Sequence, residues 1–250
     1  MEYKLWNGNC LELMSDIEDK SVDMILCDLP YGTTNCKWDN ILPFEEMWLQ
    51  YNRVIKDKGA IVLFATQPFT SALIMSNVDM FKYCWTWDKC IGRGHLVAKI
   101  RPLQRTEDIC VFGKGLINYF PIMEERDKPV KGKEGKRTDI MGGESTGYEQ
   151  VYTHKYPQTL LSYPIRIKKE DRVHPTQKPV SLLEYLIKTY TQENEWVLDN
   201  TMGSGSTELA CQDTNRNFIG IEQNEEYYNI AQRRMGTNTY STTNLFRAVQ

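Results

Sequence analysis

Long apolar runs are missing from this chain. Nothing approaches the ~20 consecutive apolar residues needed to span a bilayer. A basic-then-apolar leader is missing as well, because the chain starts Met1-Glu2-Tyr3-Lys4, so a cytoplasmic location is the expectation. Histidine is scarce, with three copies, and the seven cysteines (10, 27, 36, 84, 90, 110 and 211) contain no CxxC pair. The usual zinc spacings and a disulfide framework are thereby disfavoured, and no metal is expected. Several of these cysteines stand in apolar runs, where Cys acts as a small core residue. Net charge is slight, −3, which on its face argues against a polyanionic partner. Its distribution argues the other way. Lys82 to Pro179 carries 19 Lys/Arg against 12 Asp/Glu, and the flanks are acidic. A basic patch can guide a polyanion whatever the total charge, although a solvated Lys-rich loop would give the same count.

What is present suits a folded α/β protein: 250 residues, 41% of them hydrophobic and 25% charged. Two regions read as strand–helix units. In the first, Val22 to Cys27 is a short apolar run, a helix follows from Pro43 to about Lys56, Gly59 to Ala65 is a strand, and Pro68 to Ser76 a helix. Phe81 to Asp88 alternates, and Ile109 to Phe112 is a further strand. Tyr83, Trp85 and Trp87 read as one strand face rather than a base-stacking platform. In the second, a helix over Val180 to Tyr190 precedes a strand at Trp196 to Asp199, a helix at Thr207 to Asp213 and a strand at Asn217 to Glu222. Asn224 then caps a helix running to about Met235. Unalternated apolar strands between helices predict a doubly wound, mostly parallel sheet. Residues 114–172 break the pattern and read as an insertion. The expected division is 1–113 and 173–236 as core, 114–172 inserted, and 237–250 as a flexible tail.

Two motifs carry chemistry. Asp199 to Thr207 (DNTMGSGST) follows a strand directly. Glycines there let the backbone turn tightly and approach a ligand, and the next helix aims free N–H groups at the same place. Glu222 ends the following strand, 23 positions after Asp199, where an acid can accept both ribose hydroxyls. No third glycine completes a dinucleotide fingerprint, so a nucleoside-bearing ligand other than NAD fits better. The second motif, Asp28-Leu29-Pro30-Tyr31, also follows a strand. Ligands of open α/β sheets bind beyond the carboxyl ends of strands, so the two motifs are expected to face one crevice. An exocyclic amine of a nucleobase is a poor nucleophile, its lone pair being delocalised into the ring. The Asp28 carboxylate and the Leu29 carbonyl can accept its two N–H groups and localise that pair. Pro30 stiffens the turn, and Tyr31 can stack on the base. A plain strand–turn junction would use the same four residues.

Together these motifs resemble the amino-group (N6-adenine or N4-cytosine) DNA methyltransferases. Asp28 to Tyr31 is similar to their catalytic D-P-P-Y, and Asp199 to Thr207 to their S-adenosylmethionine loop, D-P-F-x-G-S-G-T-T. His174-Pro175-Thr176-Gln177-Lys178-Pro179-Val180 resembles the segment that contacts the cofactor's methionine end. Asn7-Gly8-Asn9-Cys10-Leu11 resembles the opening N-G-D-C-L, which lies near the cofactor adenine. Glu107 to Phe112 resembles a further family strand. The catalytic motif precedes the cofactor loop, the circularly permuted order of the β class, in which the target-recognition region lies between the two. Leu29, Asn9 and Asn200-Thr201-Met202 depart from the family pattern without removing a group the chemistry needs. Cytosine-C5 enzymes are disfavoured because no Pro-Cys pair exists.

The resemblance implies an S-adenosylmethionine-dependent DNA N6-adenine methyltransferase with a Rossmann-like, class I fold. Asp at position 28, rather than Ser, favours adenine. N4-cytosine and RNA adenine methylation are the alternatives, and a catalytically silent DNA-binding module is the rival of another class. Asp28, Leu29, Pro30 and Tyr31 are the expected catalytic residues. Asn9, Cys10, Asp28, His174, Thr176, Lys178, Asp199, Thr201, Gly203, Ser204, Gly205, Ser206, Thr207 and Glu222 are expected at the cofactor. Lys89, Arg93, Lys99, Arg101, Arg105, Lys131, Lys133, Lys136 and Arg137 are expected on DNA. The resemblance also leaves room for a homodimer and for a cognate restriction nuclease.

Overall fold

The structure is a computed structural model, and it describes residues 1–32, 41–132, 151–165 and 177–236. Contacts divide the chain into two compact units, Met1–Phe120 with Thr159–Gln250, and Pro121–Gln158.

The larger unit is built on an eight-stranded sheet. In chain order its elements are β1 (Tyr3–Asn7), α1 (Cys10–Leu13), β2 (Val22–Asp28), α2 (Phe44–Val54), β3 (Ile55–Ala65), α3 (Phe69–Met75), β4 (Phe81–Arg93) and β5 (Gln104–Phe112). The smaller unit holds β6 (Glu124–Lys131) and β7 (Val151–Lys155). The larger unit resumes with β8 (Leu160–Ser162), α4 (Val180–Tyr190), β9 (Trp196–Asp199), α5 (Ser206–Asp213), β10 (Asn217–Glu222) and α6 (Glu225–Gly236). Spatial order is β1-β10-β9-β2-β3-β5-β4-β8. Pairs from β1 through β3 are parallel, β5 runs antiparallel between β3 and β4, and β8 is parallel to β4. The expected doubly wound, mostly parallel sheet is thus the observed one.

The core lies on both faces of this sheet. Along β2, Ile25 and Cys27 join Met14, Met47, Trp48 and Tyr51 on the α1–α2 side. Met24 and Leu26, pointing the other way, join Leu183, Leu186, Ile187 and Ala210 under α4 and α5. That double burial explains why β2 reads as an unbroken apolar run. Helix α4 is held by its spacing, with Leu182, Leu183, Leu186, Ile187 and Tyr190 all buried on one face.

Some boundaries differ from expectation. Helix α2 stops at Val54 and β3 begins at Ile55, so Lys56 is in a strand: its ammonium pairs with the buried Asp23 at 2.7 Å. Strand β1 was not anticipated. It is an edge strand of five residues whose partner, β10, lies at the other end of the sequence. The expected insertion, 114–172, is wider than the compact unit. The Asn118 and Phe120 amides donate to the carbonyls of Lys58 (2.8 Å) and Thr189 (2.7 Å), and β8 extends the sheet beside β4, which ties both flanks to the larger unit. In the smaller unit β6 and β7 form an antiparallel pair, with Arg126 Nε donating to the His154 carbonyl at 3.0 Å. Among the described residues no helix is long and apolar enough to cross a membrane.

Candidate active site

Because β1, β10, β9, β2 and β3 are parallel, their carboxyl ends share one edge of the sheet. There the two motifs meet, although 171 residues separate Asp28 from Asp199. β2 and β9 are neighbours, and the Thr201 hydroxyl donates to the Asp28 carbonyl at 3.2 Å.

The glycine loop is shaped by two left-handed residues, Gly203 (φ 53°) and Gly205 (φ 81°). A Cβ on Gly203 would project into open space, whereas one on Gly205 would meet the Ala231 Cβ at 3.1 Å. Gly203 therefore leaves the backbone open to a ligand, and Gly205 lets α6 approach α5. Glu222 reaches back under the loop. Its Oε2 accepts from the Gly203 amide (2.9 Å) and its Oε1 from the Asn224 amide (2.7 Å). Each oxygen keeps a lone pair for a hydroxyl. Burial nonetheless pushes the Glu222 carboxyl up, against these backbone donors. Next to it, the Gly8 amide and the Asn7 side chain donate to the Glu222 carbonyl, at 3.0 and 2.8 Å. Asn9 is exposed and caps α1, its Oδ1 accepting from the Leu11 amide at 3.0 Å.

Asp199 is buried, and its Oδ1 accepts from the Thr201 amide at 3.1 Å. Burial pushes its carboxyl up to about 7, opposed by hydrogen bonds from Thr207 and the Thr201 amide. Ser204, Ser206 and Thr207 are buried in the same turn, and Arg234 donates to the Ser204 carbonyl. Asn200, the departure from the family's proline, is a buried hub behind the loop. Its Oδ1 accepts from Tyr51 Oη (2.6 Å) and Cys27 Sγ (2.9 Å), and its Nδ2 lies 3.5 Å from Cys10 Sγ. Cys10 is accordingly buried behind the loop rather than presented at its surface.

On the catalytic side the structure assembles a group of charges that the motif alone does not announce. Lys178 Nζ donates to Asp28 Oδ2 at 2.6 Å and lies 3.1 Å from Glu107 Oε1. Lys89 Nζ is 3.0 Å from Glu107 Oε2. The Tyr31 hydroxyl is 2.6 Å from Asp28 Oδ1 and 2.9 Å from Glu107 Oε1. Two carboxylates are matched by two ammoniums. Burial alone would raise the Glu107 carboxyl, but the Lys178 and Lys89 charges outweigh it and the net shift is down. The Lys178 amine, which burial would lower, is held up by Asp28 and Glu107. Burial, with both carboxylates beside it, keeps the Tyr31 phenol protonated. Its ring packs near Phe69, centroids 5.2 Å apart.

Lys178, expected at the cofactor, has its ammonium on Asp28, itself expected both in catalysis and at the cofactor. One expectation changes. Lys89, expected on phosphate, is buried against Glu107, because a strand period of two carries it on from Trp85 and Trp87. The sequence places Glu107 only in a strand. The pattern that would find it is its place opposite Trp87 in the β4–β5 register. Arg105 is exposed but engaged, Nε and Nη2 each 2.7 Å from an Asp88 carboxylate oxygen. Arg93 is the last residue of β4, Lys99 and Arg101 lie on the loop between β4 and β5, and Lys131 lies at the end of β6. His174, Thr176, Lys133, Lys136 and Arg137 fall outside the described residues.

The strand order and a glycine loop after β9 define a Rossmann-like, class I methyltransferase fold. The comparisons agree. A family model described as DNA methylase matches residues 22–233. The type II methyltransferase M.HindIII of Haemophilus influenzae is 31% identical, over 93% of this chain and 94% of its own. M1.MboII of Moraxella bovis is 30% identical, over 91% and 94%. Among solved structures, the M1.HpyAVI–S-adenosylmethionine complex is 26% identical with a TM-score of 0.64, covering 93% of this chain and 98% of that one. The cytosine-N4-specific PvuII DNA methyltransferase, 17% identical with a TM-score of 0.66 over 96% and 89%, shares the fold. The chain belongs to the DNA methylase family. It is an S-adenosylmethionine-dependent, site-specific DNA methyltransferase.

Proposed function

We propose that the target is the N6 amine of adenine, flipped from the duplex to the carboxyl edge of the sheet. The observation that carries this reading is the carboxylate at position 28, on the residue whose backbone carbonyl accepts from the Thr201 hydroxyl of the cofactor loop at 3.2 Å. When bound, S-adenosylmethionine supplies an electrophilic methyl group on a sulfonium. Gly203 to Thr207, with Asp199, would hold its methionine end, and Glu222 would accept the ribose hydroxyls. The Asn7–Cys10 turn would border its adenine.

Asp28 accepts one N–H of the substrate amine and the Leu29 carbonyl the other, which localises the lone pair. Lys178 and Tyr31 fix the two Asp28 oxygens, and Glu107 fixes Lys178 and Tyr31. Asp28 is also the base nearest to the proton that the amine must shed. Tyr31, anchored through its hydroxyl, stacks on the base, a contact worth ~1–3 kcal/mol. Most of the rate then comes from positioning. Residues 121–158 are the target-recognition region in this reading. A cytoplasmic location, a homodimer and a cognate nuclease rest on the family resemblance alone, and light scattering on the purified protein tests the dimer.

The deciding experiment is methylation of unmodified DNA by the purified protein, followed by nucleoside digestion and sequencing for modified positions. The expected product is N6-methyladenine without N4-methylcytosine. A dominant N4-methylcytosine peak would overturn the adenine assignment.

A further inference from the structure

The loop between β4 and β5 rises from the catalytic cluster. Lys89 on β4 and Glu107 on β5 belong to that cluster, and further out Arg93 still pairs with Gln104. The base of the loop is anchored. A Cβ on Gly92 would meet the Leu103 Cβ at 2.8 Å, and Gln104 Nε2 donates to Thr66 Oγ1, just past the end of β3. At the tip, Gly94 adopts a left-handed φ of 90° and a single 3-10 turn follows at His95–Val97. The tip places Leu96 fully in solvent and leaves Ile100 83% exposed.

A lone exposed leucine needs no explanation. Here two large aliphatic side chains share one short tip at the active edge. From 89 to 106 the chain has five Lys/Arg and no Asp/Glu. Lys89 and Arg105 are paired with Glu107 and Asp88. Among the described residues Arg93, Lys99 and Arg101 make no ion pair. An apolar point ringed by free cations is complementary to a duplex, with phosphates outside and a base stack within.

We infer that this tip is a wedge. Leu96, backed by Ile100, enters the base stack beside the target nucleotide, while Arg93, Lys99 and Arg101 hold the flanking phosphates. The inference rests on the DNA-methylation reading and adds to it the group that opens the duplex. Extruding a base costs a few kcal/mol of stacking and leaves a gap. An aliphatic side chain in that gap recovers contact that water cannot supply.

The test is single-turnover methylation by an L96A/I100A double variant, whose altered side chains are exposed and outside the core. One substrate is a duplex carrying the site mapped by sequencing. The other is the same duplex with an abasic position opposite the target adenine, which is then already unpaired. On the intact duplex the variant should lose about tenfold or more, the scale of an unstacking cost left uncompensated. On the abasic duplex it should stay within about twofold of wild type. With 2-aminopurine at the target position, the fluorescence rise given by wild type should be absent from the variant. Equal losses on both substrates would mean that the tip only binds, and no loss on either would mean that it does nothing; both overturn the wedge. If wild-type protein methylates no DNA, the methyltransferase reading itself fails and the wedge falls with it.

Discussion

Two buried carboxylates behave in opposite ways. Glu107 has two ammoniums and a phenol around it, and its carboxyl is held down. Glu208, on the cofactor side, is fully buried one turn from the buried Gln212 on α5, and among the described residues the polar side-chain atoms of both have no hydrogen-bond partner. Burial drives the Glu208 carboxyl well above its ordinary range, and the Asp199 and Glu222 charges push the same way against Arg234. Gly220 makes the room, since a Cβ there would stand 2.6 Å from Glu208 Oε1. Burial is common to both sites, so the partner decides whether a buried acid carries charge. The catalytic side is a stabilised ionic lattice. On the cofactor side burial raises Asp199, Glu208 and Glu222 alike, and a cationic ligand there would favour their charged forms.

The largest expected effect comes from breaking the lattice. Lys178→Met leaves Asp28 and Glu107 facing each other without their shared cation. Stranding a buried charge costs about 3–5 kcal/mol, so urea denaturation should show a loss of that size, and methyl transfer should fall with it. A loss below about 1 kcal/mol would show that the lattice contributes little to stability.

Glu208→Gln tests the other side. The folded carboxyl is raised above its unfolded value, so its contribution to stability is fully present below about pH 4.3. It is lost as pH rises toward the folded value. The glutamine variant has no such loss. Its stability relative to wild type should therefore grow with pH above that point, by at most about 1.4 kcal/mol per pH unit. Denaturation curves at pH 5, 6, 7 and 8 check this, and a constant difference would remove Glu208 as a buried neutral acid.

The smallest effect concerns Asp199, intermediate between the two, with its carboxyl at about 7. If it holds the cationic end of the cofactor, affinity should rise with pH through 7, by about tenfold from pH 6 to 8, the change in its ionised fraction. Calorimetry should show proton release on binding, and Asp199→Asn should flatten the profile. An unchanged profile in that variant would place the titrating group elsewhere.

Much of this was legible in the sequence because it is local. Asp28 to Tyr31, the turn from Asp199 to Thr207 and Glu222 each sit at the end of a strand, and strand ends can be read from apolar runs. What escaped was set by pairing at a distance. Strand β1 has only Tyr3, Leu5 and Trp6 to announce it, and its justification is β10. The join of α2 to β3 has no Gly or Pro to mark it. Lys89 and Glu107 are ordinary surface residue types until the β4–β5 register brings them together. The insertion expected at 114–172 exceeds the compact unit because its flanks are held by backbone hydrogen bonds and by β8, which leave no composition signal.

The order of strands also governs how the chain can fold as it is made. β2, at the centre of the sheet, has β9 on one side, and among the described residues β1 pairs with β10 alone. Both partners lie beyond residue 195. Synthesis at ~5–20 residues per second leaves β1 and one side of β2 with open strand edges for most of translation. Such edges invite pairing with other chains. The two halves of the sheet are joined last, and until then these edges stay open to other chains.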